Sequence, residues 1–204
     1  MEDPSDRSCS KAKRKTAGQQ NLEARLKPQR HRGRDDSSRE FRLRDWLIHY
    51  IENAFADVQL GEGTTLYEAA FQADYGFDPS ELALSRTAER TDWRRIPLND
   101  LFARADAIFF MNSAGKRFYS PAILRAVLIE GTRDGLMYDA FVFDLAGFVH
   151  GKRHADIPFA ELYTANQRAA FVRFCKFAAF NAPREFGRND PLRILNRIRK
   201  LDTP

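Results

Sequence analysis

Helix punctuation most restricts the folds open to this chain. Ser37-x-x-Glu40, Thr65-x-x-Glu68 and Thr164-x-x-Gln167 share one spacing. In it a hydroxyl meets an amide three residues on, and the carboxyl or carboxamide reaches back. Asp78-Pro79 and Asp190-Pro191 add an N-cap followed by proline at the first helical position. Apolar residues at helical spacing follow these signals. Leu43, Leu47, Tyr50, Ile51, Ala54 and Phe55 predict a helix from Ser37 that ends near Leu60-Gly61. Thr65 predicts a short helix through Phe71 that stops by Gly76. Pro79 predicts another that runs to about Ala88.

Prolines and glycines divide the middle of the chain. Pro97 disfavours helical backbone at Ile96, so residues 91–97 are not continuous helix, while 97–105 can open a short one. Residues 107–111, AIFFM, are short and apolar and predict a buried strand. Asn112 to Gly115 then reads as a turn, and Lys116 to Tyr119 as a returning strand, giving a small β-hairpin. Ser120 reads as the N-cap of the next helix and Pro121 as its first residue, with Gly131 closing it. Residues 138–145 alternate in part and read as a third strand or a short helix, the mostly helical setting favouring helix, and 147–158 read as a loop. The strongest pattern spans about 165–180, where Phe171, Val172, Cys175, Ala178 and Ala179 make a stripe that Phe174 and Phe177 widen. In the last helix Leu192, Leu195, Ile198 and Leu201 recur on one side. The fold class expected is α+β, predominantly α: a single helical domain with a small β-hairpin.

Charge divides the chain in the same way. Residues 1–40 hold 11 Lys+Arg against 7 Asp+Glu, residues 41–181 hold 16 against 18, and residues 182–204 hold 6 against 3. The excess of cations is therefore terminal, and the body is slightly acidic. Residues 1–36 have only Leu22 and Leu26 as large aliphatics, too little to offset chain entropy. They are expected to form a disordered basic leader, residues 37–181 the globular domain, and residues 182–204 a basic amphipathic helix. The two cysteines, Cys9 and Cys175, do not suggest a disulfide framework. No early apolar stretch resembles a signal peptide, and no window approaches a membrane span. These features predict a cytoplasmic protein.

No catalytic constellation stands out. His150 and His154 are four apart, but Gly151 and adjacent cations oppose a helix there and no third ligand is spaced for a metal. Cys175 lies on a core stripe, and no serine sits in a nucleophile elbow. Gly115-Lys116-Arg117 lacks the glycine spacing of a phosphate loop. The sequence implies no metal and no cofactor. Candidate binding residues are Trp93, Arg94, Arg95, Lys116, Arg117 and Tyr119, because tryptophan and arginine concentrate at binding hot spots. For nucleic acid the candidates are Lys11, Lys13, Arg14 and Lys15 in the leader and Arg193, Arg197 and Lys200 in the last helix.

The segments LGEGTTLYEA (60–69), TDWRRIPLNDL (91–101), GKRFYSPAIL (115–124) and LYTANQRAAFVRFCKF (162–177) together resemble a bacterial family of uncharacterised proteins. That family carries LG-x-G, then DW-x-x-IP, then an FYLPAYM-like segment and a closing Q-x-x-A-x-x-x-F helix. Ser120 stands where the family has an apolar residue, and Ile123-Leu124 where it has aromatic-Met. The resemblance covers about residues 50–180 and implies a single fold and no assigned activity. The function read from the sequence is a non-enzymatic protein-interaction domain of accessory or immunity type. The alternative is nucleic-acid association through the basic ends.

Overall fold

Apolar periodicity becomes helix throughout the part of the chain described by a computed structural model: residues 33–74, 76, 78–130, 135–152, 156–181 and 191–201. The leader cations Lys11, Lys13, Arg14 and Lys15, and His154, lie outside these residues. The helices are α1 (Gly33–Ala54), α2 (Leu66–Ala73), α3 (Pro79–Ser85), α4 (Leu98–Ala103), α5 (Ser113–Glu130), α6 (Leu136–Val149), α7 (Phe159–Leu162), α8 (Ala165–Asn181) and α9 (Pro191–Leu201). Single 3-10 turns or short 3-10 runs occupy Trp93–Arg95 and Ala105–Phe110. The chain divides into two units, Met1–Glu40 and Phe41–Pro204. The core and the candidate site lie in the second unit.

Several starts fall where the sequence places them. Thr65 and Glu68 form a complete capping box at α2. Asp78 accepts from the Ser80 amide at 2.9 Å ahead of Pro79. Thr164 and Gln167 exchange both bonds, 3.1 and 3.3 Å, ahead of α8. Ser37 lies inside α1 instead of capping it, and α1 stops at Ala54. The chain leaves the helix there because Leu60 is drawn into a loop pairing, its amide donating to the Arg90 carbonyl at 2.8 Å. Helix α6 runs past Gly147 to Val149, since Phe148 and Val149 are both core residues, and Gly151, with φ +65°, follows its end.

The expected β-hairpin does not form, and the described residues contain no strand. Residues 107–111 fall largely in the 3-10 run, and Lys116 to Tyr119 lie in the first turns of α5. Two features overturn the α+β expectation. Asn112 is a helix cap, not a turn residue: its side-chain oxygen accepts from the Gly115 amide at 2.9 Å, and its carbonyl from the Lys116 amide at 2.9 Å. Gly115 does not serve a turn with positive φ. A Cβ there would stand 2.7 Å from the Thr64 carbonyl oxygen, so its glycine permits close packing. An isolated two-stranded hairpin is marginal in water, whereas this segment caps a helix that enters the core. Helix α5 thus begins at Ser113, and Pro121 lies inside it, where it cannot donate a bond to the Arg117 carbonyl.

The core is a lattice of rings. Tyr163 meets Phe171 at 4.8 Å and Phe159 at 4.9 Å between centroids, and Phe171 also meets Phe55 at 6.0 Å. Phe141 contacts Phe171 and Phe174, joining α6 to α8. Helix α9 packs on α8 and α6 through Ile194, Leu195 and Ile198, all buried. Each such aliphatic side chain contributes roughly 1.5–3 kcal/mol on burial.

Candidate functional site

The binding residues expected near Trp93 and Lys116 divide between core and surface. Trp93 is buried, and its indole N–H donates to the Phe55 carbonyl at 2.9 Å. Its function is to fix the end of α1. Arg94 lies over the Trp93 ring at 5.0 Å, with one nitrogen on Asp92 at 3.0 Å and the other on the Glu52 carbonyl at 3.1 Å. Arg95 is the most open of the three and faces Glu89 at 3.6 Å. The Glu89 carboxyl is pulled down to about 2, chiefly by the Thr91 hydroxyl and amide and then by the Asp92 amide. Tyr119 is buried, and burial pushes its hydroxyl up to about 12.

Lys116 is the least expected. Its stem points into the core and its ammonium donates to Asp144 on α6 at 2.6 Å and to the Ile108 carbonyl at 2.8 Å. Both partners of the ion pair are buried. One turn further along α5, Ser120 and Tyr163 share a buried hydrogen bond at 3.0 Å. Burial drives the Tyr163 hydroxyl up, so it remains protonated. Arg117, between Lys116 and Ser120 in height, has a buried Nε with no hydrogen-bond partner. This polar seam joins α5, α6 and the start of α8. Cys175 is fully buried and its thiol is pushed up to about 12 by burial, so it is a core side chain and not a nucleophile.

A different distribution governs the surface cations. Across the body arginines meet carboxylates: Arg90 with Glu68, Arg104 with Glu81 and Asp100, Arg125 with Glu52. Helices α8 and α9 differ. Their cations are Arg168, Arg173 and Lys176 on α8 and Arg193, Arg197, Arg199 and Lys200 on α9, and neither helix contains an aspartate or glutamate. Arg193, Arg197 and Lys200 are exposed and stand at i, i+4 and i+7, on the side away from Ile194, Leu195 and Ile198. These three are the cations of α9 expected from the sequence to meet nucleic acid. Arg173 is not among the residues expected from the sequence; its guanidinium lies 4.2 Å from the Tyr50 ring centroid and 6.0 Å from that of Trp46 on α1. Trp46 is 49% exposed. It stands three residues after Leu43 and four before Tyr50, so helical spacing alone does not mark it as facing outward.

Among the described residues no cluster of histidine, cysteine and carboxylate is arranged to hold a metal. None of the described helices is long and apolar enough to cross a membrane.

Residues 43–193 match the model of a family described as a family of unknown function, DUF6714. The chain belongs to this family. No curated protein and no solved structure matches it. The DUF6714 region begins in α1 and ends in α9, so it takes in the ring lattice, the Lys116–Asp144 pair and Trp46 with Arg173. Arg197 and Lys200 lie beyond its end.

Proposed function

We propose that this DUF6714 chain associates with nucleic acid through its two C-terminal helices. The observation that supports it is the pairing of α8 with α9, which brings together helices rich in cations and devoid of carboxylates. A Lys/Arg stripe on one helix side is the electrostatic footprint of phosphate binding. The apolar side of α9 is already used against α8 and α6, which removes it from competition for a bilayer. The leader cations Lys11, Lys13, Arg14 and Lys15 would add to the same attraction. The test is fluorescence anisotropy with a labelled oligonucleotide over a salt series. Replacing Arg193, Arg197 and Lys200 by glutamine should weaken binding and lower the slope of log K against log salt by about 2 for a single strand. An unchanged slope and affinity would refute the assignment.

A second reading is a protein-interaction domain of accessory or immunity type. It is supported by large apolar side chains left in solvent on another surface: Leu136 is 73% exposed and Phe143 51%, at i and i+7 on α6. The exposed Arg95 and half-exposed Arg94 are further candidates for that role. Alanine at Arg94 or Arg95 should then weaken capture of a protein partner without unfolding the chain.

A further inference from the structure

Two helices meet along a strip that combines flat rings with cations. On α1, Arg42, Trp46 and Tyr50 stand at i, i+4 and i+8, on one side of the helix. On α8, Arg173, Lys176 and Phe180 stand at i, i+3 and i+7, again on one side. Arg173 joins the strips by lying over Tyr50 and Trp46. Trp46 and Tyr50 are themselves in tilted contact, 5.7 Å between centroids. Arg42 and Lys176 are exposed, and Phe180 is 78% exposed. Neither strip includes a carboxylate, and among the described residues no carboxylate pairs with Arg42, Arg173 or Lys176.

We propose that this strip of α1 and α8 is a base-stacking platform for single-stranded nucleic acid. The inference rests on the nucleic-acid reading above and adds which form of the polymer is taken and by which residues. Every base has a π-face, and exposed aromatic side chains flanked by cations hold unpaired bases irrespective of sequence. Arg173 donates from one terminal nitrogen to the Ala169 carbonyl at 3.0 Å, and a guanidinium stacked on rings has further N–H groups to offer a phosphate while its plane packs. Trp46 and Phe180 therefore supply stacking surfaces, and Arg42, Arg173 and Lys176 meet the backbone beside them. A duplex offers no free base faces to the rings.

The chain contains two tryptophans, which makes the proposal directly measurable. Trp93 is 1% exposed and will not sense a ligand at the strip, whereas Trp46 is half exposed. The full chain is titrated with a 20-nucleotide oligo-dT, a 20-nucleotide oligo-U, a 20-base-pair duplex and polyglutamate. Tryptophan emission and anisotropy are both recorded. Expected results are quenching of the red-shifted Trp46 emission by both single strands and weaker binding of the duplex. Trp46→Ala should cost roughly ten- to hundredfold in single-strand affinity, and Trp46→Phe should restore most of it. Circular dichroism on each variant confirms that the helices persist. Lys176→Gln, on an exposed side chain, gives an independent loss that no folding defect explains. Duplex and single strand binding alike, with Trp46→Ala unchanged, would overturn the platform and leave the cationic-helix reading standing. Polyglutamate quenching Trp46 as oligo-dT does would also overturn it, in favour of an acidic protein partner. If no nucleic acid binds the full chain even at low salt, both readings fall together.

Discussion

The buried ion pair between Lys116 and Asp144 allows a demanding test of the fold. Lys116→Met removes the ammonium from a carboxylate 2.6 Å away and from the Ile108 carbonyl at 2.8 Å. Removing one partner of a buried pair costs about 3–5 kcal/mol, because a charge stays behind in a poorly polarisable surrounding. Asp144→Leu should cost a similar amount for the opposite charge. In a chain of this size that corresponds to a drop in Tm of roughly 6–20 °C. The double variant Lys116→Met/Asp144→Leu buries neither charge. It still leaves the Ile108 carbonyl without its lysine donor, about 1–3 kcal/mol, offset in part by added apolar contact. The double variant should therefore be more stable than either single one.

Urea unfolding followed by circular dichroism and by Trp93 emission measures all four corners of this cycle. Losses that add within about 0.5 kcal/mol would mean that the two side chains are energetically independent and would refute the reasoning.

Three further outcomes follow from single positions. Gly115→Ala places a Cβ 2.7 Å from the Thr64 carbonyl oxygen, so despite a helix-propensity gain of about 1 kcal/mol it should destabilise by about 1–3 kcal/mol in urea unfolding. Glu89 has its pKa lowered from 4.5 to about 2, so its contribution is present above the unfolded pKa and is lost as pH falls through that window; thermal melts from pH 5 to 2 should decline in the parent and decline less in Glu89→Gln. In a Cys9→Ser variant, the remaining thiol of Cys175, buried and pushed up to about 12, should react with a thiol reagent at pH 8 only after denaturant is added.

Local signals were legible where the determining contact is local. The Thr65 and Thr164 boxes join residues three apart, and both are present. The hairpin expectation failed because its evidence was local and the deciding contacts are not. Residues 112–115 read as a turn on composition. What sets them is the opposing loop, since Asn112 accepts from the Thr64 amide at 3.1 Å across 48 residues, and Gly115 is pressed against Thr64. The LG-x-G segment supplies the other half of that contact: a Cβ at Gly63 would stand 2.9 Å from the Gly115 amide nitrogen. Two motifs quoted separately from the sequence are thus one packed junction.

The same distinction decides which cations are available to a ligand. Lys116 and Lys200 both read from the sequence as binding candidates, yet their surroundings differ. Lys116 is consumed by Asp144, 28 positions away on a different helix. Lys200 belongs to a helix with no carboxylate, packed on another with none. The first fact is invisible without the fold, whereas the second was already written in residues 165–181 and 191–201. Net charge over a domain hides it, because the carboxylates of the body lie in other segments, where several pair with arginines. A binding face here is therefore better sought by asking where a helix lacks carboxylates than by counting where cations are dense. By that criterion Arg95, next to Glu89, ranks below Arg173, Lys176, Arg193, Arg197 and Lys200 as a contact for a polyanion. The salt dependence of Arg95→Gln should accordingly match that of the parent, while the α9 triple variant departs from it.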